Sequence, residues 1–343
     1  MPRNWTDQYT FLLGAVASPT LAFFVTHDDE TASERIPYSS FLTLRENEWS
    51  DGGTREWPTV SLCAIPGDMT QLMAIGEGGQ VFLRGAGEER EEVIVKGDEG
   101  PATRGPLRCV RAIAGHVIAV GSDRQVYRRK GPSRWEALDM GARPESGLPP
   151  MDKVEKAADK KKVADKGRAP RAKPGPPTKR TSSAQTSVGF EAVDGYAVNE
   201  MYAVGRGGEI WQWEGTRWLP HASPTTETLT QLTCATDGHV YAAGDKGVLV
   251  RGRADRWELL RTGLTQPITG LRLYDGALYA ATAKGVWRLE GDKLVAVPLP
   301  KKDPPKTFGM LDTESVTRTR GALWSIGPKD IFTYDGKTWT RIE

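Results

Sequence analysis

Short runs in which large apolar residues alternate with a small one, and which end in glycine, return along most of this chain. Residues 201–218 read MYAVGRGGEIWQWEGTRW, and residues 240–257, 278–294 and 323–339 repeat the pattern with small changes. Residues 72–88 and 117–135 carry two further copies upstream. A period of two is that of a strand, since successive side chains leave opposite faces of a pleated backbone. The small position is Ala74, Ala119, Ala203, Ala242, Ala280 and Ser325 in successive copies, so one face of that strand is packed too closely for bulk. A glycine-rich turn follows, such as residues 205–208 or 244–247, and glycine there admits positive φ and reverses the chain. A second strand comes next (residues 209–214, or 331–334), then a polar turn such as 335–338, then Trp339 and a short last strand. Another apolar stretch precedes each small position, for example residues 269–275 and 232–236. Each unit is therefore four short antiparallel strands.

Four-stranded units repeated at this interval build a β-propeller, because a single unit cannot bury both its faces and must be covered by its neighbours. A β-sandwich is the competing reading, but sandwiches do not repeat their turns in register. The small positions are separated by 45, 84, 39, 38 and 45 residues, and the interval of 84 holds an insertion. With an irregular first blade at residues 10–49, the others span about 58–97, 105–141, 187–221, 228–261, 267–299 and 306–343. The expected fold is all-β, one domain over residues 1–343, most simply a seven-bladed ring; six and eight blades are the neighbouring counts. The last blade supplies its own four strands, and residues 1–8 with Trp5 are placed to add to the edge near residues 338–342 and close the ring.

The outer turn Thr333-Tyr334-Asp335-Gly336-Lys337-Thr338-Trp339 resembles the Asp-box of sialidase-type and photosystem-assembly-factor-type propellers, and shorter relatives stand at residues 214–218 and 255–257. The resemblance covers most of the chain except the insertion, and several copies lack the aspartate. It implies a propeller with structural outer turns and carries no catalytic residues with it. The tryptophans Trp49, Trp135, Trp218, Trp257 and Trp339 fall at one equivalent outer position. A ladder of aromatics suits glycan stacking, but a residue present in blade after blade usually serves the blade, so packing is the expected role.

The charge is nearly balanced, with 46 basic and 44 acidic residues, and that balance hides a partition. Residues 151–186 hold eleven Lys/Arg and four Asp/Glu, 11 − 4 = +7, which leaves 2 − 7 = −5 for the remainder. Lys160, Lys161, Lys162, Arg168, Arg171, Lys179 and Arg180 lie in this segment, with proline and glycine crowding its second half. So little apolar surface cannot offset the entropy of ordering, and residues 142–186 are expected to be a disordered basic insertion between blades three and four. Weak, nonspecific nucleic-acid binding through residues 151–186 is one reading, although no aromatic is interleaved for stacking; a solvated linker is the plainer one.

The connection that carries the insertion emerges on the same side as the turns between second and third strands. That face gathers Arg206, Asp245, Lys246, Lys284 and Lys329, together with His27, Asp28 and Asp29 of a long acidic loop in blade one. Varied loops on a rigid frame form a recognition surface, so a protein partner is expected there.

Candidate chemistry is sparse. Cys63, Cys109 and Cys234 occur without a CxxC pair and sit in the first strands of three different blades, so they read as small apolar fillers in a reducing compartment, not as a metal set. The histidines His27, His116, His221 and His239 are scattered over turns and connections. There is no GxSxG, HExxH or P-loop, and residues 76–79 lack the helix that a phosphate cradle needs. No cofactor is expected. Residues 11–17 mimic a short signal h-region with Ala15-Val16-Ala17, but an inner strand is the preferred reading, and no stretch is long enough to span a bilayer. The expected protein is cytoplasmic and non-enzymatic: a subunit of a complex or a neutralising partner of a toxin or effector. A propeller glycan hydrolase, lyase or lectin is the alternative from another class.

Overall fold

The computed structural model describes residues 5–30, 38–67, 70–85, 87–143, 188–313 and 321–343. The basic segment expected at 142–186, including Lys160, Lys161, Lys162, Arg168, Arg171, Lys179 and Arg180, lies outside the described residues from position 144 onward. Ala142 is fully buried and Arg143 pairs with Glu99 at 2.7 Å, so the ring itself extends to residue 143. It is residues 144–187 that separate from the rest of the chain as their own unit.

Seven four-stranded antiparallel sheets form the blades of one propeller, each made from a contiguous stretch of sequence. The first strands are Tyr9–Ser18, Thr59–Ile65, Leu107–Ile113, Phe190–Ala197, Leu229–Cys234, Gly270–Tyr274 and Met310–Thr313. They line a central channel. The signal-like run 11–17 is thus the inner strand of blade one. Each small residue pairs with an apolar residue of its blade's first strand: Ala74 with Leu62, Ala119 with Val110, Ala203 with Val193, Ala242 with Leu232, Ala280 with Leu271 and Ser325 with Leu311. All six small residues are buried, between clusters in which the apolar side chains of adjacent blades mix. This interlocking is what makes a blade depend on its neighbours.

In blade one the fourth strand runs Glu48–Arg55, beyond the boundary expected at residue 49. Its sequence, EWSDGGTR, is an exposed outer edge with no apolar alternation to reveal it. Residues Trp5–Gln8 form one helical turn, not an added strand. Trp5 stacks on Tyr9 at 5.7 Å and meets Trp49 at 6.0 Å. The seam between blades seven and one is closed by other means: Phe11 N–H donates to Pro328 O (2.9 Å), and Trp49 Nε1–H donates to Glu343 O (2.7 Å).

The glycine that ends the second strand in blades four and five proves to be a matter of space. Gly205 and Gly244 are extended, with φ of −170° and −177°. A Cβ on Gly244 would stand 2.0 Å from Thr228 O, and one on Gly205 1.9 Å from Gly189 O, because the chain entering the blade crosses there. The turn's positive φ falls later, at Gly207 (+67°), Lys246 (+53°) and Gly247 (+74°). The outer tryptophans are structural: Trp218 is buried and its Nε1–H donates to Leu138 O at 2.7 Å, while those of Trp257 and Trp339 donate to Ala254 O and Pro298 O. Asp335 accepts from the amides of Lys337 and Thr338 and from the Thr338 hydroxyl, which pins the outer turn as the Asp-box resemblance implies.

Candidate partner-binding face and channel

The turns between second and third strands and the connections between blades share one side of the ring, here the loop face. Arg206 stands in a 3-10 turn of blade four and donates to Glu191 Oε1 at 2.9 Å. Lys246, in the equivalent turn of blade five, reaches Glu227 Oε1 at 2.8 Å, and that carboxylate raises its pKa. Its neighbour Asp245 is half-buried and its backbone N–H donates to Thr228 O. Lys284 is exposed in the turn of blade six.

At the seam, Lys329 Nζ donates to Tyr9 O (2.9 Å) and pairs with Asp29, whose other oxygen accepts from the Thr10 hydroxyl. Burial raises the Asp29 pKa, but Lys329 and Thr10 outweigh it and the net shift is downward. Asp28 accepts from Glu30 N–H, and His27 bonds Tyr38 O at 3.0 Å while lying over the Tyr38 ring. The structure therefore brings Lys329, Asp29, Asp28 and His27 together across the seam, with Arg206 and Lys246 on the other side of the ring and Lys284 between.

Sequence reasoning missed the ion pairs that tie this face together. Arg108 joins Glu77 of blade two (3.0 Å) to Glu191 of blade four (3.9 Å), and Glu191 holds Arg206. Arg124 reaches Glu209 across the same interface of blades three and four at 2.6 Å and lies over the Trp211 ring. Arg104, nearly wholly buried, pairs with Asp123 and Asp139. Side-chain acceptors directly after the turns hold the incoming connections: Glu209 accepts from Gly189 N–H, and Asp330 accepts from Lys306 and Thr307 amides and the Thr307 hydroxyl.

Sequence reasoning also missed the charged layer inside the central channel, which encloses about 630 Å³ and is lined by the first strands. One residue per blade, the one after the apolar partner of the small position, forms a layer around it: Cys63, Arg111, Asp194, Thr233, Arg272 and Asp312 from blades two to seven. Charged residues in one phase of otherwise apolar first strands are the signal that marks this layer.

Within it, backbone amides of one blade are capped by side chains of the blade before. Val110 N–H donates to Ser61 Oγ, and Cys234 N–H to Asp194 Oδ2. Across the seam, Gly14 N–H and Val16 N–H donate to Met310 Sδ and Asp312 Oδ2. The Ala112 and Val193 amides favour the charged forms of the Cys63 and Cys109 thiols. Burial pushes Cys63 up to about 12 and also raises Cys109 and Cys234. Arg272 is lowered by burial and by Arg111, while burial at Arg111 is outweighed by Asp194 and Asp312 and its net shift is upward.

Comparison with known proteins gives one full-length relative. The chain is 35% identical to the immune protein Tsi7 of Pseudomonas aeruginosa over 348 aligned positions, covering all of both chains. No protein-family model matches it. Among solved structures it is similar to the WD40 β-propeller domain of Doa1 (TM-score 0.61, 10% identity, 95% of this chain and 92% of that one). It is also similar to YCF48 bound to a D1 peptide (TM-score 0.58, 16% identity, 94% and 90%) and to YCF48 from Cyanidioschyzon merolae (TM-score 0.56, 14% identity, 94% of each). At these identities the structural likeness speaks for the propeller fold.

Proposed function

The chain belongs to the family of the immune protein Tsi7, and from that membership we propose that it is a non-enzymatic propeller that binds a toxin protein through its loop face and so neutralises it. The observation that carries this reading is end-to-end similarity to an immune protein, with the single propeller accounting for all but residues 144–187. The architecture supports it. Paired charges such as Arg206–Glu191, Lys246–Glu227 and Lys329–Asp29 hold the turns in fixed positions, so little ordering entropy remains to be lost on docking.

The carboxylates nearest the channel act as acceptors for the frame, Asp194 for Cys234 N–H and Asp312 for Val16 N–H and Arg272. This suits a binding protein better than a hydrolase, whose acid and base must be free to exchange protons. A cytoplasmic site of action fits the three unpaired thiols, and no described helix is long and apolar enough to cross a membrane.

The test is a pull-down from the native host with the full chain and with a version lacking 144–187, after nuclease treatment, followed by expression of the captured protein with and without this chain. Growth arrest by the captured protein, relieved by both versions, supports neutralisation through the ring. Relief lost with the deletion moves the site to the basic segment. A captured protein that is harmless when expressed alone overturns the toxin-neutralising reading.

A further inference from the structure

Arg111 and Arg272 stand in the same layer of the channel, on blades three and six of the seven, and so face each other across the opening. Their acidic neighbours are largely spent. Asp312 uses one oxygen on Arg272 Nε (3.0 Å) and the other on Val16 N–H (2.8 Å). Asp194 gives an oxygen to Cys234 N–H and approaches Arg111 Nε only to 3.8 Å, beyond hydrogen-bonding reach. Arg272 also donates Nη1 to Leu271 O, which leaves its Nη2. Among the described residues nothing accepts a hydrogen bond from Arg111, although its side chain is only 26% exposed. Asp194 and Asp312 balance the charge of the two cations, but a planar fork of five donors with no acceptor keeps hydrogen-bonding capacity that an oxyanion can fill.

We propose that the channel binds a small oxyanion, a carboxylate or phosphate group, held between the fork of Arg111 and the free Nη2 of Arg272. The ligand enters the space of about 630 Å³ and bridges blades three and six. This site is independent of the loop face and of the toxin-binding reading. It binds by charge-assisted hydrogen bonds and needs no reacting group.

The test is thermal unfolding of the full chain titrated with inorganic phosphate, with acetate, and with chloride at matched ionic strength. The expected result is a saturable rise in Tm of a few degrees with phosphate or acetate beyond that with chloride, since a ligand binding only the folded state stabilises it. The stronger anion identifies the class. Arg111→Met should abolish the excess rise, and Arg111→Lys, which keeps the charge without the fork, should weaken the apparent affinity about tenfold. Arg261→Met, on an exposed loop-face position, should bind like the parent. No excess over chloride in the parent, or an undiminished excess in folded Arg111→Met, overturns the proposal.

Discussion

Replacing Gly244 by alanine adds one methyl group at a place where the backbone of the next segment already sits. The new Cβ would lie 2.0 Å from Thr228 O and 2.9 Å from Leu229 Cα. A comfortable carbon–oxygen contact is about 3.3 Å, so the carbonyl must retreat by about 1.3 Å (3.3 − 2.0). It is not free to do so, because it accepts from Asp245 N–H at 3.0 Å and leads directly into the inner strand Leu229–Cys234. Overpacking of this kind costs about 1–3 kcal/mol, and loss of the Asp245 bond adds about 1 kcal/mol. Alanine returns about 0.4–1 kcal/mol by restricting the unfolded chain. The net expectation is a destabilisation of about 2 kcal/mol, with no contribution from φ.

Gly276→Ala isolates the other reason for glycine. Gly276 has φ of +73° and nothing within 4 Å of its would-be Cβ, so that variant should lose only the left-handed penalty of about 1–2 kcal/mol. Guanidinium unfolding followed by tryptophan fluorescence compares both with the parent. A Gly244→Ala protein no less stable than Gly276→Ala would refute the crossing-chain argument.

Acid should expose the buried pair Glu92–Arg129. Burial raises the Glu92 pKa, but the two bonds from Arg129 (2.7 and 3.0 Å) more than offset this and hold the carboxyl below its ordinary value. Its contribution is therefore complete above the unfolded value of about 4.3 and disappears as pH falls through the lower folded value. Glu92→Gln should cost about 3 kcal/mol at pH 7 and flatten the acid limb of a stability–pH curve; an unchanged limb would remove Glu92 from it. Trp218→Phe, which loses the bond to Leu138 O, should lower stability by about 1–3 kcal/mol in the same unfolding assay. Cys63, its thiol pushed up to about 12, should resist iodoacetamide at pH 8 in the folded protein and react once denatured, as read by mass spectrometry. Deleting residues 1–8 removes the Trp5–Trp49 contact and should lower Tm by several degrees in differential scanning calorimetry.

The blades were legible because the constraint that makes them is local and repeated. A small residue opposite Leu62, Val110 or Val193 leaves an imprint every time a strand packs against its neighbour. The loop face followed from topology alone, and Lys329 and Asp29 do meet there. What escaped was everything set by contact between blades. Glu191 meets Arg108 only once blades three and four are stacked, and nothing in the order of residues announces that partnership. The glycines were noticed for the wrong reason, since extended Gly205 answers to Gly189 O, a neighbour 16 positions away (205 − 189).

The capping of inner-strand amides runs one way. Ser61 serves blade three, Asp194 serves blade five, and Met310 with Asp312 serves blade one. Such a ring has a sense of rotation built into its bonding. Loosening a blade strips acceptors from its successor while leaving its predecessor's amides covered by groups that have not moved. Damage at blade four should then be felt first at blade five and only later at blade three, so amide exchange after an Asp194 lesion would spread around the circle as a directed wave rather than outward on both sides.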